Sequence, residues 1–178
     1  DKVVSVRGAS WQVVAVMNPE TSTWQYSSGW WTNNNVFESS NGEKKTSSFN
    51  DLSSNKIRVR YERSGCHREF EYTHNLNMPL RNIFNGGERR NVSPGRASWI
   101  NLGCGNFATQ PYCNRHGFNV QSDNGKRMRF GIFFNNENEC SSPDVSIGIG
   151  NDMGNIYTGA YYGCCRSTGN PQSYYTKV

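Results

Sequence analysis

Charge and apolar side chains are both scarce in this 178-residue chain: 19% of residues are charged and 34% are hydrophobic. No run of about 18 apolar residues occurs, so no membrane-spanning helix is expected. No internal repeat, heptad pattern or Gly-X-Y period is present, which excludes solenoids, coiled coils and collagen. Histidine is limited to His67, His74 and His116. These lack zinc-finger spacing and no Cys-x-x-Cys pair accompanies them, so a structural zinc site is not expected. The short signatures G-x-S-x-G, H-E-x-x-H, the P-loop and the EF-hand loop are all missing.

What the chain does hold is turn chemistry and rings. It has 23 Asn and 18 Gly, and aromatics reach 13%. Disordered chains are poor in aromatics, so a packed domain is expected. At this length one domain over residues 1–178 is the prior, burying about 70% of its unfolded surface. The formal charge is +5. The basic residues Arg58, Arg60, Arg63, Arg68, Arg89 and Arg90 are scattered without a nucleic-acid reading motif, so a solvated basic face is expected rather than a nucleic-acid partner.

Six cysteines (Cys66, Cys104, Cys113, Cys140, Cys164 and Cys165) form an even set in a loop-rich chain, which points to disulfides in an oxidising compartment. Fifteen pairings are open to six cysteines. Adjacent cysteines join each other only with strain, so Cys164 and Cys165 are expected to take different partners, one of them able to reach another chain. A chain that starts at Asp1 has the look of a processed, secreted protein, and the sequon Asn91-Val92-Ser93 agrees with that.

Alternation and β-branched or aromatic content predict strands at Val3–Val6, Trp11–Met17, Ile57–Tyr61, Glu69–Tyr72, Arg96–Leu102, Phe118–Val120, Met128–Phe134 and Val145–Ile149. Met128–Phe134 is the strongest of them, and Ser122–Gly125 is the turn before it. Thr32–Asn35 reads as a turn. Leu76–Phe84, with Pro79 near its start, predicts a short helix stopped by Asn85-Gly86-Gly87. The fold expected is mostly β, α+β with few short helices, in a single compact disulfide-stapled domain.

The chemistry-bearing segment is Phe134-Asn135-Asn136-Glu137-Asn138-Glu139-Cys140, followed by Asp144 and Gly148-Ile149-Gly150-Asn151-Asp152. It sets hard oxygen donors directly after a buried strand. Calcium takes six to eight oxygens from carboxylates, amides, backbone carbonyls and water. Asn ligates without adding charge, which leaves affinity for a neutral oxygen ligand such as a sugar diol. The ligands expected are Asn136, Glu137, Asn151 and Asp152, with Asp144 in reserve and carbonyls near Gly150 completing the shell. The tail is rich in Tyr157, Tyr161, Tyr162, Tyr174 and Tyr175, whose rings suit the C–H face of a sugar.

Four runs carry a family resemblance: Trp11–Val16, Trp31-Thr32-Asn33-Asn34-Asn35-Val36-Phe37, Lys56–Arg60, and Arg129-Phe130-Gly131-Ile132-Phe133-Phe134-Asn135-Asn136-Glu137. In that order the chain resembles intelectins, calcium-dependent animal lectins related to fibrinogen-like domains. The Phe-Asn-Asn-Glu run is the specific part. The resemblance implies a fibrinogen-like or intelectin-like β-sheet core and a secreted carbohydrate-binding protein whose Ca2+ is coordinated by vicinal sugar hydroxyls. It implies Asn136 as a calcium ligand, Asn151-Asp152 as the later pair, and Tyr157, Tyr161 and Tyr162 as the aromatic box. Intelectins are longer, and their calcium-binding histidine has no counterpart after His116. The partners expected are cell-surface glycans, galactosides first because lectins so often select them. Weak single sites favour a homo-oligomer.

Two rival classes are weighed against this. A secreted nuclease or other hydrolase would draw acid and base from His67 and His116 with Glu69 or Lys126. A cytolytic toxin would suit a basic aromatic chain, but six cysteines and no basic amphipathic N-terminal helix oppose it. Neither has a motif, so the expectation is a non-enzyme.

Overall fold

The structure is a computed structural model describing residues 11–19, 21–63, 66–90, 95–101, 109–154, 157–162 and 174–175. It is mostly β, as expected. Among the described residues, eleven strands fall into three antiparallel sheets, with three short helices and one 3-10 turn at Gly29–Trp31. Strands β1 (Ala15–Val16), β2 (Phe37–Glu38) and β3 (Lys44–Lys45) form a three-stranded sheet with β3 in the middle. β4 (Ser54–Arg63) and β5 (Cys66–Met78) form a two-stranded ribbon. The remaining strands are β6 (Arg89–Arg90), β7 (Tyr112–Gln121), β8 (Arg127–Asn135), β9 (Val145–Asn151), β10 (Thr158–Tyr162) and β11 (Tyr174–Tyr175). They pair in sequence order as a six-stranded meander.

The meander exists because its central strands are apolar on both faces. In β8, every residue from Phe130 to Phe134 is buried. Register sets Phe130 opposite Ile149, Ile132 opposite Ile147 and Phe134 opposite Val145, so these six side chains share one face. Onto that face come Tyr72 of β5, 4.7 Å from Phe130 edge-on, Phe84 of α2 (Leu80–Asn85), 6.0 Å from Phe118, and Trp99 of α3 (Arg96–Asn101), 4.8 Å from Phe130. Each such buried Phe or Trp contributes about 2–3 kcal/mol by leaving water. Trp24, Trp31 and Phe49 of α1 (Ser47–Asp51) continue the same core.

The alternation breaks at Asn119, whose φ is +50°. Phe118 packs on Phe84, and the neighbouring Asn119 also reaches α2, where its Nδ2 donates to the carbonyls of Ile83, Phe84 and Gly86. An asparagine tolerates this left-handed turn and closes the C-terminal end of α2. Beyond the break, Val120 and Met128 join Phe133 and Met153 in a second, smaller cluster. Arg129 spans the seam. Its guanidinium donates to the Tyr26 and Phe84 carbonyls, both at 2.9 Å, and to Asn119 Oδ1 at 3.0 Å, while stacking on the Tyr26 ring.

Three sequence expectations need correction. Arg96–Leu102 was expected as a strand, but Arg96–Asn101 is helix α3. Burying Trp99 against Phe130 decides this over the strand propensity of its Trp and Ile. The Leu76–Phe84 helix begins only at Leu80, because Met78 pairs with Ser54 and keeps Leu76–Met78 in β5. Of Trp11–Met17, only Ala15 and Val16 pair as a strand. Val3–Val6, the sequon at Asn91, Cys104, Cys164 and Cys165 lie outside the described residues. Cys113 and Cys140 form a disulfide. Among the described residues no helix is long and apolar enough to cross a membrane.

Candidate functional site

Antiparallel pairing sorts the expected site residues into two groups. Asn136 and Glu137 follow the end of β8, beside the start of β9. Asn151 ends β9, opposite Met128 at the start of β8. Six residues of paired strand separate Val145 from Asn151, which is about 20 Å at 3.3 Å per residue. Asn136 and Glu137 therefore do not share an ion with Asn151 and Asp152, and the four-ligand set expected from sequence is corrected to two separate places. The tyrosines divide likewise. Tyr157 passes its carbonyl to the Asn151 N–H at 2.9 Å. Tyr161 and Tyr162 lie opposite Ser146 and Val145. Those two positions are on the Asn136 side, two strands from β8 and so about 10 Å away in backbone terms.

At the Asn151 end the polar groups are engaged within the protein. Asn151 is fully buried. Its Nδ2 donates to Ser146 Oγ at 2.8 Å, and its Oδ1 accepts the Met153 N–H at 3.0 Å. Asp152 accepts the Arg127 N–H at 2.5 Å and Arg127 Nε at 3.0 Å. The Gly150 position, with φ +64°, leaves no space for a Cβ against the Arg129 side chain and the Trp31 ring. These residues close a strand end and hold Arg127. The carbonyls near Gly150 are not a calcium shell for Asn136.

The other end is built differently. Cys140 is tied to Cys113 of β7, so the connection between β8 and β9 is fixed at its middle as well as at its ends. Glu139 braces it from inside. Its carboxylate accepts the N–H and hydroxyl of Ser141, the Ser142 hydroxyl at 2.7 Å, and Asn135 Nδ2 at 2.5 Å. Those donors, the Ser141 and Ser142 hydroxyls foremost, hold its pKa down to about 2. Asp144 takes Gln110 Nε2 at 2.8 Å on one oxygen. Asn136, Glu137 and Asn138 are exposed, and none has a protein partner for its side chain among the described residues. Only their backbone is used: the Asn136 N–H donates to Asn135 Oδ1 at 3.0 Å, and the Glu137 carbonyl accepts the Glu139 N–H at 2.7 Å. The sequence shows five polar residues in a row, Asn135 to Glu139. Folding spends Asn135 and Glu139 on the loop and leaves three oxygen donors to solvent.

The residues weighed for hydrolysis are dispersed. His67 is exposed on the ribbon, opposite Glu62. His116 lies on β7, its Nδ1 2.9 Å from the Asn114 carbonyl. Lys126 sits in the β7–β8 turn, where its N–H donates to Ser122 Oγ at 2.9 Å. His74 is buried, its Nδ1 accepts the Leu76 N–H at 3.2 Å, and burial pushes its pKa down. The basic alternation of β4 meets carboxylates across the ribbon: Arg58 lies opposite Glu71, 2.7 Å away, and Arg60 opposite Glu69. That ladder sets Glu69 and Glu71 beside Lys56 and Arg58.

Among the described residues no three of His, Cys, Asp and Glu gather as a metal centre. A cation at the β8–β9 connection therefore has to rely on amide and backbone oxygens beside Glu137. No protein-family model matches the chain, and neither a curated protein nor a solved structure matches it.

Proposed function

We propose that this chain is a secreted lectin, not an enzyme, that binds glycans through a calcium ion held by the β8–β9 connection. The observation that carries the reading is the contrast inside one braced loop. Glu139 is consumed by internal hydrogen bonds, while the side chains of Asn136, Glu137 and Asn138 stand exposed and without a partner among the described residues. One carboxylate and neutral amides suit a calcium ion that keeps coordination positions for other oxygens. When bound, the ion supplies attraction for a pair of vicinal sugar hydroxyls. The chain's own part is to hold its donors on a loop fixed by Cys113–Cys140, and to set Tyr161 and Tyr162 at the same end of the sheet. The ligands on this reading are Asn136, Glu137 and Asn138, with Asp144 beside them. Asn151 and Asp152 are structural. The run Phe134-Asn135-Asn136-Glu137 makes the lectin intelectin-like, and galactosides remain the first sugars to try. The disulfide suits an extracellular setting. A site with so few protein ligands is weak singly, which favours a homo-oligomer with several sites.

The test is a glycan array with 5 mM calcium and again with EDTA. Sugar-inhibitable binding that EDTA abolishes is expected, with Glu137→Ala and Asn136→Ala each lowering affinity at least about tenfold at unchanged melting temperature. Binding that survives EDTA in full refutes the calcium bridge, and turnover of any arrayed glycan refutes the non-enzyme reading.

A further inference from the structure

The segment Gly29–Phe37 forms an arch that the reading above leaves without a role. Its feet are two half-buried aromatic rings in contact, Trp30 and Phe37, with centroids 4.4 Å apart. Between them run the buried Trp31 and then Thr32, Asn33, Asn34, Asn35 and Val36, and no residue of the arch is ionisable. Its backbone is fastened from below. The buried Lys45 ammonium donates to the Asn33 carbonyl at 2.7 Å and to Asn33 Oδ1 at 3.1 Å. Asn50 Nδ2 donates to the Asn34 carbonyl at 2.8 Å. The Asn35 N–H donates to Asn33 Oδ1 at 3.1 Å. On top, Val36 is 55% exposed. Asn34 and Asn35 are exposed, and their side-chain amides have no protein partner among the described residues.

We propose that this arch is a second saccharide-contact surface, separate from the β8–β9 connection and independent of metal. The chemistry fits an uncharged, amphipathic ligand of ring size. Each free amide offers two donors and an acceptor to sugar hydroxyls. The exposed parts of Trp30, Phe37 and Val36 offer apolar area to a C–H face. A backbone already bolted by Lys45 and Asn50 loses little freedom on binding, which removes a main cost of association. The lack of charge disfavours a phosphate, a sulfated glycan or a peptide chosen by its charge. The proposal rests on the lectin reading, because it takes the same ligand class at a second place.

The test uses the full chain on the glycan array, then 15N NMR titration with the strongest-binding glycan. The variants are Asn34→Ala/Asn35→Ala and Val36→Asp, all at exposed positions, with Glu137→Ala as the loop control. Trp30 is left intact because its ring packs on Phe37. The arch variants are expected to fold with the parent melting temperature and to lose about tenfold in affinity. The Asn34 and Asn35 side-chain amide resonances of the parent are expected to shift on titration, with EDTA present as well as absent. If the parent binds glycan, Glu137→Ala weakens it and the arch variants bind as the parent does with unmoved amide resonances, the arch is refuted and the loop stands. If the parent binds no arrayed glycan, the lectin reading and the arch fall together.

Discussion

Lys45 offers the sharpest check on the physical account. It is 1% exposed, with Phe49 beneath the ammonium at 5.0 Å and Asn33 accepting two hydrogen bonds. Burial, and then the nearby Arg81 cation, lower its pKa from 10.5 to about 8. The unfolded chain keeps this proton up to its ordinary pKa, while the folded chain releases it earlier. Between about pH 8 and 10.5 the unfolded state therefore holds more protons, and the Lys45 contribution to stability rises with pH. Below about pH 8 the cost of a buried charge is constant. At 1.36 kcal/mol per pH unit the ceiling is about 3 kcal/mol. The Phe49 face and the Asn33 oxygens favour the charged form and offset part of it, so the expected change is about 1–2 kcal/mol. The assay is urea unfolding of the parent and of Lys45→Met at half-unit steps from pH 7 to 10.5. Other groups titrate in both proteins, so the difference between the curves isolates Lys45. The parent is expected to gain on the variant by that amount. Parallel curves, or a parent that loses ground as pH rises, refute the reasoning.

Four further outcomes follow from the same structure. Arg129→Met strands the Tyr26 and Phe84 carbonyls and Asn119 Oδ1, and at about 1 kcal/mol each the loss is about 3 kcal/mol, read as a melting point lower by about 6–12 °C. Arg127→Met stacks on the same Tyr26 but gives up only a half-exposed ion pair with Asp152, so calorimetry should find less than about 1 kcal/mol. Asp152→Ala unpins the Arg127 N–H, and denaturation should show about 1–2 kcal/mol lost while glycan affinity is unchanged; a loss of sugar binding would return Asp152 to the site. Gly117→Ala places a methyl into the Arg89 carbonyl at φ +134°, and circular dichroism should show a melting point lower by at least 5 °C, roughly 2 kcal/mol.

The strands that were legible in the sequence are those whose pattern and burial agree. Met128–Phe134 is apolar on both faces, and it lies inside β8 between two long strands. Ile57–Tyr61 alternates, and Val59 and Tyr61 point into the core. Arg96–Asn101 misled because Trp and Ile suit strands, while its helix depends on a partner, Phe130, far along the chain. The site was half legible. Asn136 and Glu137 stand exposed after β8, as the polar run suggested. The grouping with Asn151 and Asp152 overlooked that Val145–Ile149 was itself read as a strand. A strand running antiparallel between two ligand groups is a spacer, and its length alone sets them at opposite ends of the sheet. The role of Glu139 was not legible, because the path of the loop decides which carboxylate meets the Ser141 and Ser142 hydroxyls. The arch at Trp30–Phe37 was visible only as a turn, since its aromatic feet meet through folding.

The β4–β5 ribbon has a consequence for how copies of the protein behave toward each other. Neither strand has another strand beside it among the described residues, so each keeps one margin of backbone groups that no strand pairs. A flat apolar margin of that length invites sheet growth from molecule to molecule. Here Lys56, Glu69 and Glu71 carry exposed charge along the ribbon, and the mostly covered Arg58 pairs with both carboxylates. A second ribbon pairing alongside brings further charges close to these, so concentrated solutions are expected to stay clear at low salt. Removing Glu69 and Glu71 together would expose the hazard as turbidity on storage.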